Sequence, residues 1–227
     1  TPMTVVEIAE LAGGLAHELR NPLSTMMVNL KLLAENLQDG SANFDDVRRR
    51  ALLKVDVLRR EAERLQSLFD DFLNLATPYN LQRSKCDLNK VVARLVEFFE
   101  PMLRSCGIAL EVSMADGSIW VHADEKLLSQ ALLNLVVNAQ EAMPLGGTLT
   151  LSTSREAGHG LIRVGDTGVG ISEKNRESIF RPFFSTKSKG TGLGLSITRR
   201  IIFAHGGELS LTGNQPQGTI CTIMLPA

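Results

Sequence analysis

Apolar residues recur at Ile8, Leu11, Leu15, Leu19, Leu23, Met26, Leu30, Leu33 and Leu37, in steps of three, four and four again. That near-heptad spacing is the stripe of a long helix, and it constrains the fold more than any other feature of the chain. Asp39-Gly40-Ser41-Ala42-Asn43 interrupts it, and Asn43 or Asp45 is suited to cap a second helix. The stripe resumes at Val47, Ala51, Val55, Leu58, Ala62, Leu65, Phe69, Phe72 and Ala76 and stops at Thr77-Pro78, because proline cannot continue the hydrogen-bond ladder. Two such helices make an antiparallel hairpin. A lone hairpin cannot cover both stripes, whereas two copies forming a four-helix bundle can, so a homodimer is expected. The stretch around Arg48-Arg49-Arg50 and Arg59-Arg60-Glu61 reads as a solvated helix face, since acidic residues interleave it.

From about residue 80 the texture changes. Most of the glycines lie here, with alternating apolar runs at Thr148-Leu149-Thr150-Leu151-Ser152, Leu161-Ile162-Arg163-Val164 and Thr219 to Leu225 that read as strands. Helical patterns fall between them at 88–105, 124–143 and 192–204. The expected organisation is a helical domain over 1–79 and, over 80–227, an α/β sandwich with one sheet covered by helices on one face. The 227 residues suffice for two such domains. A formal net charge of −1 gives no global field favouring nucleic acid or an anionic membrane, so no nucleic-acid partner is expected. Three cysteines, Cys86, Cys106 and Cys221, without a CxxC spacing argue against a disulfide framework or zinc site and fit a reducing cytosol. No apolar run reaches the ~18 residues of a membrane span. The chain begins at Thr1 rather than Met, so it reads as a fragment, and its expected location is the cytoplasm, alone or as the cytoplasmic part of a longer, membrane-bound sensor.

His17 lies two residues from both Leu15 and Leu19, roughly 200° around a helix from each, and therefore points away from the stripe. Asn21 follows one turn later on the same side, Glu18 is adjacent, and Pro22 is expected to kink the helix just beyond. A mid-helix proline costs ~3 kcal/mol, which makes an incidental surface histidine the weaker reading. An imidazole attacks a phosphoryl group when a neighbouring carboxylate accepts its proton, which suits Glu18; Asn21 can position a water for the reverse removal.

Three stretches of the second half fit one site. In Leu132 to Met143, Asn134 and Asn138 share a helix face while Leu132, Leu135 and Val136 pack inward; amide oxygens are hard ligands suited to Mg²⁺ carrying a triphosphate. In Val164-Gly165-Asp166-Thr167-Gly168-Val169-Gly170-Ile171, glycines permit close backbone approach, and Asp166, an acceptor when ionised, suits the exocyclic amine of adenine. The third stretch, Phe180 to Lys189, leads to Gly190-Thr191-Gly192-Leu193-Gly194-Leu195 and an apolar helix, whose open N-terminal amides favour phosphate. It has neither the P-loop nor the Rossmann spacing. The residues between Gly170 and Gly190 hold few core positions and read as a mobile lid, from which Lys187 and Lys189 can reach phosphates.

In this order and spacing the stretches closely resemble the two-component sensor histidine kinases, over nearly the whole chain. His17-Glu18-Leu19-Arg20-Asn21-Pro22-Leu23 resembles the phosphoacceptor motif of the dimerisation domain. The Asn134 to Asn138 helix resembles the asparagine motif, which implies Asn138 as the Mg²⁺ ligand. Asp166, Gly168 and Gly170 match the first glycine motif, Phe180 to Phe184 the phenylalanine motif, Gly190, Thr191, Gly192, Leu193 and Gly194 the second glycine motif, and Gly218-Thr219 the closing element near adenine. The resemblance implies the Bergerat-type ATP-binding fold shared with gyrase and Hsp90. It also implies ATP and Mg²⁺ as cofactors, autophosphorylation of His17 with Glu18 as proton acceptor, and transfer to an aspartate of a response-regulator receiver domain. Asn21 takes the phosphatase position. Fold relatives carry a water-activating glutamate where this chain has Asn134, which argues for transfer rather than hydrolysis. A binding module that senses ATP without chemistry is the alternative from another class.

Overall fold

The computed structural model describes residues 5–38, 43–187 and 190–227. The side chain of Ile8, the turn residues Asp39 to Ala42 and Lys189 fall outside what is described. The chain divides into two compact units, Thr1–Pro78 with Thr186–Thr191, and Tyr79–Ser185 with Gly192–Ala227.

The first unit is a pair of packed helices, α1 (Val5–Gln38) and α2 (Phe44–Ala76). α1 is continuous through Pro22. Asn43 caps α2, its side-chain oxygen accepting the Asp45 N–H at 3.1 Å, and Asp45 and Asp46 place negative charge at the positive end of the helix dipole. Within a single hairpin the α2 stripe is covered only in part. Leu68 and Leu75 are its buried residues and Val47, Ala51, Leu58, Leu65 and Phe72 are half-buried, but Val55, Ala62, Phe69 and Ala76 are exposed. On α1, Leu11 and Pro22 are buried and Leu15, Leu19, Met26 and Leu33 half-buried, while Leu23, Leu30 and Leu37 are exposed. Each helix thus presents a second apolar face about a third of a turn from the one covered within the hairpin.

The second unit contains a five-stranded sheet in the order β2-β4-β5-β7-β6, from β2 (Ile108–Ser113), β4 (Gly147–Glu156), β5 (His159–Asp166), β6 (Glu208–Gly213) and β7 (Thr219–Pro226). β2 runs parallel to β4, and the other neighbours are antiparallel. β1 (Ser84–Asp87) and β3 (Trp120–Ala123) form a separate antiparallel pair. Burial alternates along the strands: Leu149, Leu151 and Thr153 on β4 and Thr219, Cys221, Ile223 and Leu225 on β7 are buried, with half-buried residues between them. That face receives α3 (Leu88–Ser105), α4 (Glu125–Ala142) and α5 (Gly194–Ala204). Leu128, Leu132 and Val136 of α4 and Ile197, Ile201 and Ile202 of α5 have no accessible surface, each contributing roughly 1.5–3 kcal/mol by leaving water. The helical hairpin and the sheet covered on one face are as expected. β1, β2, β3 and β6 were not anticipated: they are short, and β2 and β6 are mostly exposed, so their patterns lack an apolar run.

Candidate nucleotide and phosphoacceptor sites

Asp166 is the last residue of β5, opposite Thr219 of β7. Its side chain is buried. Oδ1 accepts the Gly168 N–H at 2.9 Å and the Thr219 N–H at 3.2 Å, so two backbone donors fix the carboxylate's direction. Thr219 thus reaches Asp166 through its backbone. Three glycines are needed here for close approach. A Cβ on Gly168 would strike the Ala142 carbonyl, one on Gly218 the Asp166 carbonyl, and Gly170 sits at φ +71 against Gly218. Beneath the carboxylate, burial pushes the Cys221 thiol up to about 12, and the Asp166 charge adds to the effect.

The loop after Asp166 is stitched to the end of α4. The Val169 N–H donates to the Ala142 carbonyl at 3.1 Å and the Thr167 N–H to the Thr148 carbonyl at 3.2 Å. Thr167 Oγ1 accepts from the Thr148 N–H at 2.9 Å and points its proton at Met143 Sδ, 3.7 Å away. α4 then carries Asn134 and Asn138 as half-buried residues on the face turned to the start of α5: a Cβ built on Gly194 would lie 3.8 Å from Asn138 Nδ2 and 3.9 Å from Asn134 Cγ. Asn134 Nδ2 lies 3.4 Å from the Gly194 carbonyl. α5 begins without a side-chain cap; Leu193, just before it, is fully buried and anchors that end. Its first-turn amides are oriented by the helix toward whatever lies before Gly194.

The segment between Gly170 and Gly190 holds few core positions, as expected, with Ile179 the buried residue among those described. It includes a 3₁₀ turn at Glu173–Asn175, and Phe180 with the Arg199 guanidinium 5.1 Å from its ring centre. Gly192, at φ +68, passes so close to the Phe183–Phe184 backbone that a Cβ would lie 2.5 Å from Phe183 carbonyl carbon. Phe183 itself adopts φ +63, a left-handed conformation costly for an aromatic residue. Asp166, Gly168, Gly170, Thr219, Asn134, Asn138, Phe184, Gly192, Leu193 and Gly194 therefore belong to one unit, whereas Lys187, Gly190 and Thr191 fall in the segment grouped with the helices.

On α1, His17 and Asn21 are exposed, one turn apart. Glu18 is half-buried, with an oxygen 3.9 Å from Arg64 NH2 of α2. Thr25 Oγ1 donates to the Asn21 carbonyl at 3.2 Å, just past the turn where Pro22 supplies no N–H.

Residues 7–78 match the family of His Kinase A (phospho-acceptor) domains, and residues 123–227 match the histidine kinase-, DNA gyrase B- and HSP90-like ATPases. The chain belongs to the sensor histidine kinases. It is 33% identical over 220 residues to sporulation kinase C of Bacillus subtilis, covering 96% of this chain and 49% of that protein. It therefore spans about half the length of that curated relative. The catalytic domain of histidine kinase ThkA superposes with a TM-score of 0.60 at 33% identity, over 64% of this chain and 95% of that one. A second solved structure, ThkA in complex with the response regulator protein TrrA, gives a TM-score of 0.78 at 27% identity, over 96% of this chain and 61% of that one.

In this histidine kinase the sequence motifs did not reveal Thr167's side-chain latch, His205 or Asn214. His205 is buried; its Nε2 accepts the Asp124 N–H at 2.9 Å, leaving Nδ1–H to donate to the Ile201 carbonyl at 2.8 Å, which ties the end of α5 to the start of α4. The Asp124 carboxyl caps α4 and also accepts the Gln82 N–H. Burial pushes that carboxyl up, but the N–H groups of Gln82, Leu127 and Lys126 together hold it below the usual range.

Proposed function

We propose that this histidine kinase core binds ATP in its second unit and transfers the γ-phosphoryl group to His17. The division of labour is a dimerisation and phosphoacceptor domain over 1–79 and a catalytic domain over 80–227. The observation that carries the reading is the Asp166 carboxylate, held by two backbone N–H groups and joined through α4 to the Asn134–Asn138 face at the open end of α5. Asp166 accepts a hydrogen bond from the adenine amine, while Gly168, Gly170 and Thr219 keep the backbone close to the base. The α5 amides after Gly192, Leu193 and Gly194 receive phosphate oxygens, and Phe184, Lys187, Gly190 and Thr191 contribute from the segment before the helix. The amide oxygen of Asn138, with Asn134 beside it, suits a Mg²⁺ ion, which when bound supplies charge neutralisation on the phosphates.

The His17 imidazole attacks the γ-phosphorus in line, a bond forms from ring nitrogen to phosphorus, and the bond to the ADP oxygen breaks. Glu18, steadied by Arg64, accepts the imidazole proton. The phosphoryl group then passes to an aspartate of a response-regulator receiver domain; the solved assembly of ThkA with TrrA supports a partner of that kind. Asn21, exposed one turn from His17, supports a second activity, orienting water to remove the phosphoryl group from the regulator. The expected location is the cytoplasm, and among the described residues no helix is long and apolar enough to cross a membrane.

Incubation with γ-labelled ATP tests the core of this reading. Acid-labile label is expected on the unaltered chain and none on His17→Gln; label persisting in that variant would overturn the assignment.

A further inference from the structure

A side chain that no motif accounts for reaches the candidate nucleotide site. Asn214 sits in the turn between β6 and β7, 48 residues beyond Asp166 in sequence, and its Nδ2 donates to the Asp166 backbone carbonyl at 2.8 Å. That carbonyl lies at the end of the β5–β7 ladder. The Thr219 N–H opposite it is turned onto the Asp166 carboxylate, and Gly218 crowds the carbonyl so closely that no side chain fits there. Asn214 therefore supplies a side-chain donor to the strand-end carbonyl of Asp166.

The amide is held as well as holding. Its Oδ1 accepts the Gln215 N–H at 2.9 Å, and its own backbone N–H donates to the Gly218 carbonyl at 3.1 Å. Reversing the amide would set its oxygen against the Asp166 oxygen and its NH₂ against the Gln215 N–H, so both neighbours select one orientation. Asn214 is half-buried, which leaves water a poor substitute.

The geometry points to Asn214 as a positioning residue that fixes the Asp166 peptide plane and so aims its carboxylate at the base, setting the preference for a 6-amino over a 6-oxo purine. The inference rests on the proposed reading of adenine by Asp166. A carboxylate accepts from the adenine amine but meets only another acceptor at the corresponding position of hypoxanthine, so discrimination depends on a direction being kept. Loosening the peptide plane costs the aligned hydrogen bond to ATP and costs ITP nothing comparable, since ITP has no such bond.

Binding of ATP and ITP to the full chain, measured by calorimetry with His17→Gln as background to prevent turnover, tests this. The background chain is expected to prefer ATP. Adding Asn214→Ala should weaken ATP about fivefold, the value of one neutral hydrogen bond, while leaving ITP within twofold, so that the ratio narrows. Asn214→Asp should narrow it further, because a carboxylate facing a carbonyl repels it. An unchanged ratio in both variants, or equal losses for the two nucleotides, would overturn the positioning role and leave Asn214 a turn residue. Absence of preference in the background chain would remove the adenine reading itself, and this inference with it. Thermal unfolding of each variant separates a lost fold from a lost aim.

Discussion

A carboxylate distinguishes an amine from a carbonyl by direction, and at Asp166 direction comes from the backbone: the Gly168 and Thr219 N–H groups converge on a single oxygen. Replacing Asp166 by Asn keeps the shape and an acceptor for those donors but removes the charge and turns an NH₂ toward the adenine amine. Hydrogen bonds to charged groups contribute about 1.5–3 kcal/mol, so ATP affinity in Asp166→Asn should fall at least about tenfold by calorimetry; a loss smaller than threefold would remove the adenine role. This residue was legible in sequence because its signal is local, an acidic residue between a strand and spaced glycines. Asn214 and Thr167 were not legible as site residues. Their partners are 48 and 19 positions away, and an asparagine in a turn or a threonine in a loop satisfies local rules without announcing a distant contact.

At the scale of elements, helix periods were legible and the faces were not. The pattern placed α3, α4 and α5 within two residues of their observed ends, because capping and apolar steps are properties of a segment. Which stripe faces which neighbour is a property of a pair, so the period alone does not tell that Leu68 and Leu75 pack within the hairpin while Val55 and Phe69 lie on its outer face. The inward face of α2 also carries a cost. Burial pushes the Asp71 carboxyl up to about 6 from an ordinary 3.8, and the adjacent Asp70 charge adds to it. The folded state thus binds this proton more tightly than the unfolded chain, so the contribution is greatest below pH 3.8 and is lost as pH rises through 6. Because the group is partly exposed, the full value implied by such a shift must be discounted, to about 1 kcal/mol. Asp71→Asn should accordingly stabilise the hairpin by about 1 kcal/mol at pH 7 and by almost nothing at about pH 3, followed through the helical signal in urea. An equal gain at both values would mean that the side chain acts through packing and not through its charge.

At the scale of the whole molecule, the two units place different demands on their surroundings. The second closes its core over its own sheet. The first does not, for Leu23, Met27 and Leu30 of α1 and Leu52, Val55, Phe69 and Leu73 of α2 remain exposed at heptad-like intervals along both helices. A hairpin with two stripes is expected to need a second copy, and this exposed set is the stripe that such a copy would cover. Phe69, 52% exposed, is the largest side chain of that stripe in the C-terminal half of α2. A glutamate there would forfeit roughly 2 kcal/mol of apolar burial in each copy and place two like charges in one seam. Phe69→Glu should therefore weaken self-association at least about a hundredfold and sediment as a monomer at concentrations where the unaltered chain is expected to sediment as a dimer. ATP affinity should stay within twofold, because the Asp166 cage and the asparagine face lie wholly inside the second unit. A variant that still sediments as a dimer would place the interface on another surface of the chain, and a parallel loss of ATP affinity would show that the two units do not function as separately folded parts.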